Sequence, residues 1–318
     1  MEHRSVLCEK TIEFLQIHGE GIYVDGTLGR GGHTMQIASQ LTSGHLYAFD
    51  KDMQAIQETK ERLQLYQDRI TVIHADFRQM KRYLKEYDVF AVDGVLLDLG
   101  VSSPQFDDPA RGFSYRFNAR LDMRMDQQES LDAWKIVNTY EQKELTRILS
   151  TYGEERFASS IARAIVAQRS IAAINTTFEL VDVIKKALPP AVRNEKGHPA
   201  KKTFQALRIE VNHELDALRE GLVEACALLK KNGRCAVITF HSLEDRIVKA
   251  YFKELTSASY VQPKLPIKAA EIEPASYRLI THKPIVADLR ELEQNHRAHS
   301  AKLRVIERRK ETNYELSR

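Results

Sequence analysis

The chain has 318 residues, 43% of them hydrophobic and 29% charged, with a net charge of +3. That is room for one large or two modest globular domains, and the charge alone names no partner. No run approaches the roughly 18 apolar residues of a membrane span, and the charged start MEHRSVLCEK lacks a signal peptide's apolar core.

Cys8, Cys226 and Cys235 are scattered and form no CxxC pair, which points to a reducing, cytoplasmic setting without a structural zinc. In chain order, Gly21 to Asp25 (GIYVD), His45 to Asp50 (HLYAFD), Ile70 to His74 (ITVIH) and Gly94 to Asp98 (GVLLD) read as buried strands. The segments between them, such as Met53 to Leu65, read as helices. Strand and helix alternating at this pace predict an α/β fold with a mostly parallel sheet.

From about 107 to 230 the periodicity is helical. Leu131, Trp134 and Val137 mark one face, Phe157, Ile161 and Ile165 a second, and Phe178, Val181 and Ile184 a third that Pro189 and Pro190 end. Phe204, Leu207, Val211, Leu215, Leu218, Leu222 and Leu229 then form a long stripe, broken near Asn212. A strand returns at Arg234 to Phe240, with further candidates at Tyr277 to Thr281 and Lys302 to Glu307. Residues 257–275 read as a long mobile loop. A sheet that stops and resumes carries an insertion: 1–110 and 215–318 form the sheet domain, and 111–214 an all-helical insert.

Val24 to His33 (VDGTLGRGGH) runs from the first strand into a helix. Its glycines let the backbone approach a ligand, and the helix start offers free N–H groups. A dinucleotide site uses the same device, but Thr34 stands where the third Gly of GxGxxG belongs. Asp25, at the end of strand one, is placed to meet an amino group. Asp50 ends strand two, 21 residues after Gly29, where a carboxylate accepts both ribose hydroxyls. The alternative for Asp50 is a helix N-cap, which Asp52 provides as well. Asp76 and Phe77 follow strand three and offer an acid and a ring to an adenine, unless Phe77 is core. Asp98 ends strand four. All these positions lie at carboxyl ends of strands, the edge where open parallel sheets bind ligands.

After Asp98, Ser103-Pro104-Gln105-Phe106 is similar to the Asp/Asn/Ser-Pro-Pro-aromatic motif of amino-methyltransferases acting on exocyclic base nitrogens. Gln105 replaces the second Pro, and a polar turn around Pro104 is the alternative. A cytosine amine conjugated into its ring is a poor nucleophile, so such a site must supply acceptors for its N–H groups and alignment with the methyl donor. Arg111 to Asp126 (RGFSYRFNARLDMRMD) interleaves Phe113, Tyr115 and Phe117 with arginines, either an RNA surface or one buried face of a short strand. Six Lys or Arg and one acid, Glu195, lie between Lys185 and Lys202. Arg304, Arg308, Arg309 and Lys310 form a second basic cluster. Either cluster steers RNA or is a solvated surface. Ser242 with Asp245 reads as a capping box, and the preceding His241 faces the active-site edge, toward a base or phosphate. A Ser-His hydrolase is excluded by the lack of GxSxG.

HxSVLxE, DGTLGRGGH, LLDLGVSSPQFD, RGFSY, LDMRMD, YGEERFA, HPAKKTFQALRIEVN and FHSLEDRIVK follow one another from His3 onward. Together they resemble the bacterial RsmH (MraW) family. The resemblance implies a class I S-adenosylmethionine-dependent methyltransferase fold, Rossmann-like, with the helical insert recognising substrate. It implies methyl transfer to N4 of a cytosine at the decoding centre (P site) of 16S ribosomal RNA, with the small ribosomal subunit as partner. Carried over by motif, cofactor contacts fall on Gly31, Gly32, His33, Asp50, Phe77, Asp98 and Gln105. With the readings above, Asp98 and Ser103 are the catalytic candidates, and Phe113, Tyr115, Lys201, Lys202 and His241 the RNA candidates. No metal or membrane is implied, and a homodimer through the insert is left open. The sequence departs from the family at Ala119-Arg120, where a Gly-Pro is usual, and at His296 and His299, which replace a Pro and an Arg. The rivals are a non-catalytic RNA-binding assembly factor on the same fold, an amino-methyltransferase of another nucleic acid, and a nicotinamide dehydrogenase.

Overall fold

The computed structural model describes residues 5–101, 103–193, 197–257 and 275–311, with backbone only at 103, 104 and 193. The predicted mobile loop falls almost wholly outside them. Two compact units emerge: Met1–Gly100 with Asp216–Arg318, and Val101–Leu215. This grouping starts the helical unit at Val101 rather than at 111.

In the first unit, β1 (Ile22–Asp25), β2 (His45–Asp50), β3 (Ile70–His74), β4 (Val92–Asp98) and β5 (Leu229–Thr239) run parallel. β7 (Lys302–Arg308) is antiparallel both to β5 and to β6 (Tyr277–Leu279). Their order is β3-β2-β1-β4-β5-β7-β6. The mostly parallel α/β sheet expected from the sequence is the one that forms. Because the chain runs outward from β1 through β2 to β3 and then returns to β4, the connections diverge between β1 and β4. A crevice opens there at the carboxyl edge. The strands are apolar on both faces, as buried parallel strands are: Val95 and Leu97 of β4 join one core, with Val24, Phe49 and Val237, while Leu96 joins the other, with Tyr23, Ala48 and Ile238.

β5 begins at Leu229, five positions before the predicted Arg234. Leu229 pairs with Val92 across a register shift, so the last position of the apolar stripe belongs to the sheet, not to the helix before it.

Four helices precede the insertion: α1 (Cys8–Leu15), α2 (Gly32–Gln40), α3 (Met53–Leu63) and α4 (Met80–Lys85). The helical unit contains α5 (Ser103–Asp107), α6 (Ala133–Thr139), α7 (Gln142–Thr151), α8 (Ala158–Arg169), α9 (Thr177–Ala187), α10 (Pro190–Arg193) and α11 (Lys201–Asn212). Then come α12 (Glu214–Leu228), α13 (Ser242–Leu255) and α14 (Leu289–Gln294). The inner face of α6 is Ala133, Ile136 and Val137, while Leu131 and Trp134 are only half-buried. In α9, Leu180, Val181 and Ile184 are buried and Phe178 is 44% exposed. The stripe does break at Asn212: His213 adopts a left-handed φ of 50°, and Arg208 Nε donates to Glu214 Oε1 across the turn at 2.8 Å.

Asn212 is buried because it serves another part of this unit. Its Oδ1 accepts from Met125 N at 2.7 Å, and its Nδ2 donates to Met123 O at 2.8 Å. The Arg111 guanidinium donates to the carbonyls of Arg124 and Met125. The RGFSY, LDMRMD and RIEVN motifs thus close one clamp that pins an irregular loop. Arg120, one of the departures from the family, donates to Asp132 at 2.7 Å and lies 3.2 Å from Asp122.

Candidate active site

The glycine turn joins β1 to α2 at the crevice. Gly29 and Gly31 both have positive φ (50° and 71°). A Cβ on Gly31 would press on Thr59 of α3, and one on Gly32 would overlap the Ser5 hydroxyl. These glycines are therefore required by close protein packing as well as by any ligand. The N–H groups of the first turn of α2 have no helix carbonyl to meet, which makes this end an acceptor of negative charge.

Asp25 does not face an open site. Its carboxylate is 1% exposed and accepts from Thr34 Oγ1 at 2.7 Å and Thr27 N at 3.0 Å. Burial raises its pKa against those hydrogen bonds. The residue that spoils the dinucleotide pattern, Thr34, holds this acid in place. Thr27 links two strand ends, since its Oγ1 also accepts the Asp98 N–H at 2.7 Å.

Asp50 ends β2 with both carboxylate oxygens anchored, Oδ2 by Gly29 N and Oδ1 by Asp52 N, each at 2.8 Å. Each oxygen keeps a second lone pair for a ligand hydroxyl. The N-cap of α3 is Asp52, which accepts from Gln54 N, so capping does not account for Asp50. Burial pushes the Asp50 pKa up to about 6, opposed by its backbone hydrogen bonds.

His33, the second residue of α2, is 4% exposed. Its Nε2 lies 3.2 Å from Val6 O, and its Nδ1 3.3 Å from Asp98 Oδ2. Both ring nitrogens face oxygens, so keeping both contacts as hydrogen bonds requires the imidazolium. Burial opposes that charge, but the Asp98 hydrogen bond, the Asp98 and Asp25 charges and the Val6 carbonyl outweigh it and raise the pKa. The side chain is thus committed to protein partners. Asp98 Oδ1 is buried and has no hydrogen-bond partner among the described residues. An orphaned carboxylate oxygen at this crevice is costly unless a ligand N–H or O–H meets it.

Phe77 follows β3 and is half-buried against the sheet core. A Cβ on Gly221 of α12 would overlap its ring. One side of the ring is therefore set by a helical glycine that the sequence reading missed. Asp76 caps the turn at Arg78 N and pairs with Lys51 at 3.7 Å.

His241, not Ser242, caps α13. Its ring accepts from Glu244 N at 3.4 Å, and Glu244 Oε2 accepts in return from His241 N and Phe240 N. The predicted capping box is displaced by one residue. Asp245, its expected partner, instead pairs with Arg304 at 2.7 Å and Lys302 at 3.2 Å. Two of the four residues of the second basic cluster are thereby engaged within the protein: Arg304 is only 8% exposed, and Arg308 donates to Ala227 O at the end of α12 and lies over the Tyr277 ring, whereas Arg309 is exposed.

In the helical unit, Gln105 is buried within α5. Ser103 opens α5, and its side chain lies outside the described ones. Phe113 is 3% exposed in the core with Arg111 against its ring, so it offers no stacking face to RNA. No strand forms there: Phe113 turns inward, Phe117 stays 42% exposed, and Tyr115 is half-buried. Lys201 and Lys202 are exposed at the start of α11, with Lys202 donating to Glu154 O at 3.0 Å.

Among the described residues, no helix is long and apolar enough to cross a membrane. The profile of the MraW methylase family matches residues 1–309. The chain is 51% identical over 308 residues to the ribosomal RNA small subunit methyltransferase H of Oenococcus oeni, covering 96% of this chain and 98% of that protein. It is 52% identical over 310 residues to the same-named protein of Limosilactobacillus fermentum, covering 97% and 98%. With the one from Exiguobacterium sibiricum it shares 52% identity over 311 residues, covering 98% and 99%.

Proposed function

The chain belongs to the MraW methylase family, and from that premise we propose that it methylates N4 of one cytosine at the P site of 16S ribosomal RNA within the small ribosomal subunit. The observation that supports this most is Asp98 Oδ1, a buried acceptor without a partner among the described residues at the switch-point crevice. S-adenosylmethionine, when bound, supplies a methyl group activated by the sulfonium. Transfer forms an N–C bond on the exocyclic amine as the C–S bond breaks; the bonding pair goes to sulfur and a proton leaves the nitrogen.

The chain's own residues bind and align. The turn through Gly31 and Gly32 and the first N–H groups of α2 take the carboxylate end of the cofactor. Asp50 accepts the ribose hydroxyls, and Phe77, backed by Gly221, offers its ring to the adenine. Asp98 Oδ1 accepts an N–H brought to this edge, from the cofactor ammonium or the target amine. Alignment then supplies most of the rate, with no strong base required. Gln105 and Ser103 are assigned by the motif match alone. The helical unit serves substrate recognition, with Tyr115, Lys201 and Lys202 as its accessible RNA candidates, whereas His241 is held as a helix cap.

Incubation with methyl-labelled cofactor and either small subunits, naked 16S RNA or DNA tests the proposal. Label in the RNA of the small subunits is expected. Label only in DNA or protein, or none, overturns it.

A further inference from the structure

Tyr115 and His198 lie 83 positions apart, yet their rings stack with centroids 4.1 Å apart and planes 9° from parallel. The Tyr115 ring also meets the core residue Phe204 edge-on at 5.6 Å, so the pair is fixed from beneath while both rings remain half-buried. His198 is oriented by its backbone surroundings. Its Nδ1 accepts from Ala200 N at 3.2 Å, which places the ring proton of the neutral form on Nε2. Arg116, next to Tyr115, is exposed, as are Lys185 and Lys186 at the end of α9 and Lys201 and Lys202 at the start of α11.

A fixed stack of two rings within reach of the Lys185 and Arg116 charges is what an unpaired nucleotide needs: a flat surface for a base and positive charge for its phosphate. We infer that Tyr115 and His198, with Arg116 and Lys185, form a platform for a single-stranded segment of the RNA substrate. This rests on the RNA reading above and gives Arg116, Lys185 and His198, which lie in segments already singled out, a shared individual role.

Burial, followed by the Lys185 and Arg116 charges, lowers the His198 pKa, and the Ala200 N–H donated to Nδ1 likewise favours the neutral ring.

The test uses the full chain and an unpaired oligonucleotide copied from 16S RNA, with affinity read by fluorescence anisotropy. Tyr115→Ala is expected to weaken binding roughly tenfold, from the usual worth of base–aromatic stacking, while Tyr115→Phe retains it. Arg116→Glu and Lys185→Glu, both at exposed positions, each weaken binding and flatten its salt dependence. His198→Ala, which removes the second ring of the stack, is expected to weaken binding as Tyr115→Ala does. The far-UV circular dichroism and melting profile, read on the same samples, stay at the wild-type values and certify the fold. If the variants bind RNA as the wild type does at every salt concentration, the platform is overturned alone. If the wild type itself neither binds nor methylates ribosomal RNA, the underlying reading falls and the platform with it.

Discussion

His33 Nδ1 lies 3.3 Å from Asp98 Oδ2, and the opposite ring nitrogen lies 3.2 Å from the Val6 carbonyl. One imidazole thereby ties the N-terminal segment to the end of β4 and engages one oxygen of Asp98, while Oδ1 is buried without a hydrogen-bond partner among the described residues. The family match assigns His33 to the cofactor. The structure gives its side chain a positioning role, through Asp98.

The raised His33 pKa fixes a sign. An imidazolium favoured by folding contributes stability that is full below the unfolded value near 6.5 and is lost as pH rises through the higher folded value. The melting temperature of the wild type should fall over that interval relative to His33→Asn. Asp50 titrates in both proteins, while Asp25 is coupled to His33, so the difference between the two curves reports the His33 charge together with its effect on Asp25. Parallel curves would show that the ring is neutral throughout.

Asp50 titrates near 6 in the absence of ligand, and only its ionised form accepts two ribose hydroxyls. S-adenosylhomocysteine affinity should therefore drop as pH falls through about 6, with proton release on binding visible in calorimetry. Asp50→Ala should cost on the order of 1.5–3 kcal/mol of binding, the worth of charge-assisted hydrogen bonds. An unchanged dissociation constant would remove the ribose role.

Gly221→Ala inverts an ordinary expectation. Alanine in place of glycine inside a helix stabilises by roughly 1 kcal/mol, but here the added methyl overlaps the Phe77 ring. The ring must move, and cofactor affinity should fall about 2- to 10-fold, the range of an aromatic contact. Combining the change with Phe77→Ala should produce no further loss. Additive losses would separate the two residues.

Asn212→Ala strips partners from Met125 N and Met123 O inside the helical unit. Each buried group left unpaired costs roughly 1–3 kcal/mol. Denaturant unfolding should show the loss, while S-adenosylhomocysteine binding persists. A stability within 0.5 kcal/mol of wild type, the usual scatter of surface changes, would mean the loop does not depend on the clamp.

Much of the sheet was legible because buried strands announce themselves by short apolar runs, and the acids at their ends by position. His45 to Asp50 and Ile70 to His74 appear with the predicted bounds. What escaped was set by partners distant in sequence. Asp245 and Arg304 are 59 positions apart, and no local pattern shows that they pair and withdraw Arg304 from its basic cluster. In the sequence Thr34 is only the residue that breaks GxGxxG, and its bond to Asp25, like the bond of Thr27 to the Asp98 N–H, exists only once the turn has folded. Phe113 and Phe117 share a two-residue rhythm that fits a strand. An irregular loop clamped by Arg111 and Asn212 sends one inward and the other outward, and periodicity carries no record of that. Gly221 left a faint signal, a glycine within an apolar helical stripe, but its reason is the ring of Phe77.

The most direct test of the account is nucleoside mass spectrometry on 16S RNA from small subunits treated with cofactor and either the wild type or Asp98→Ala. The account predicts N4-methylcytidine at a single P-site position with the wild type, and its loss with Asp98→Ala while the chain remains folded. A methyl group on another base or another atom, or undiminished methylation by Asp98→Ala, would contradict it.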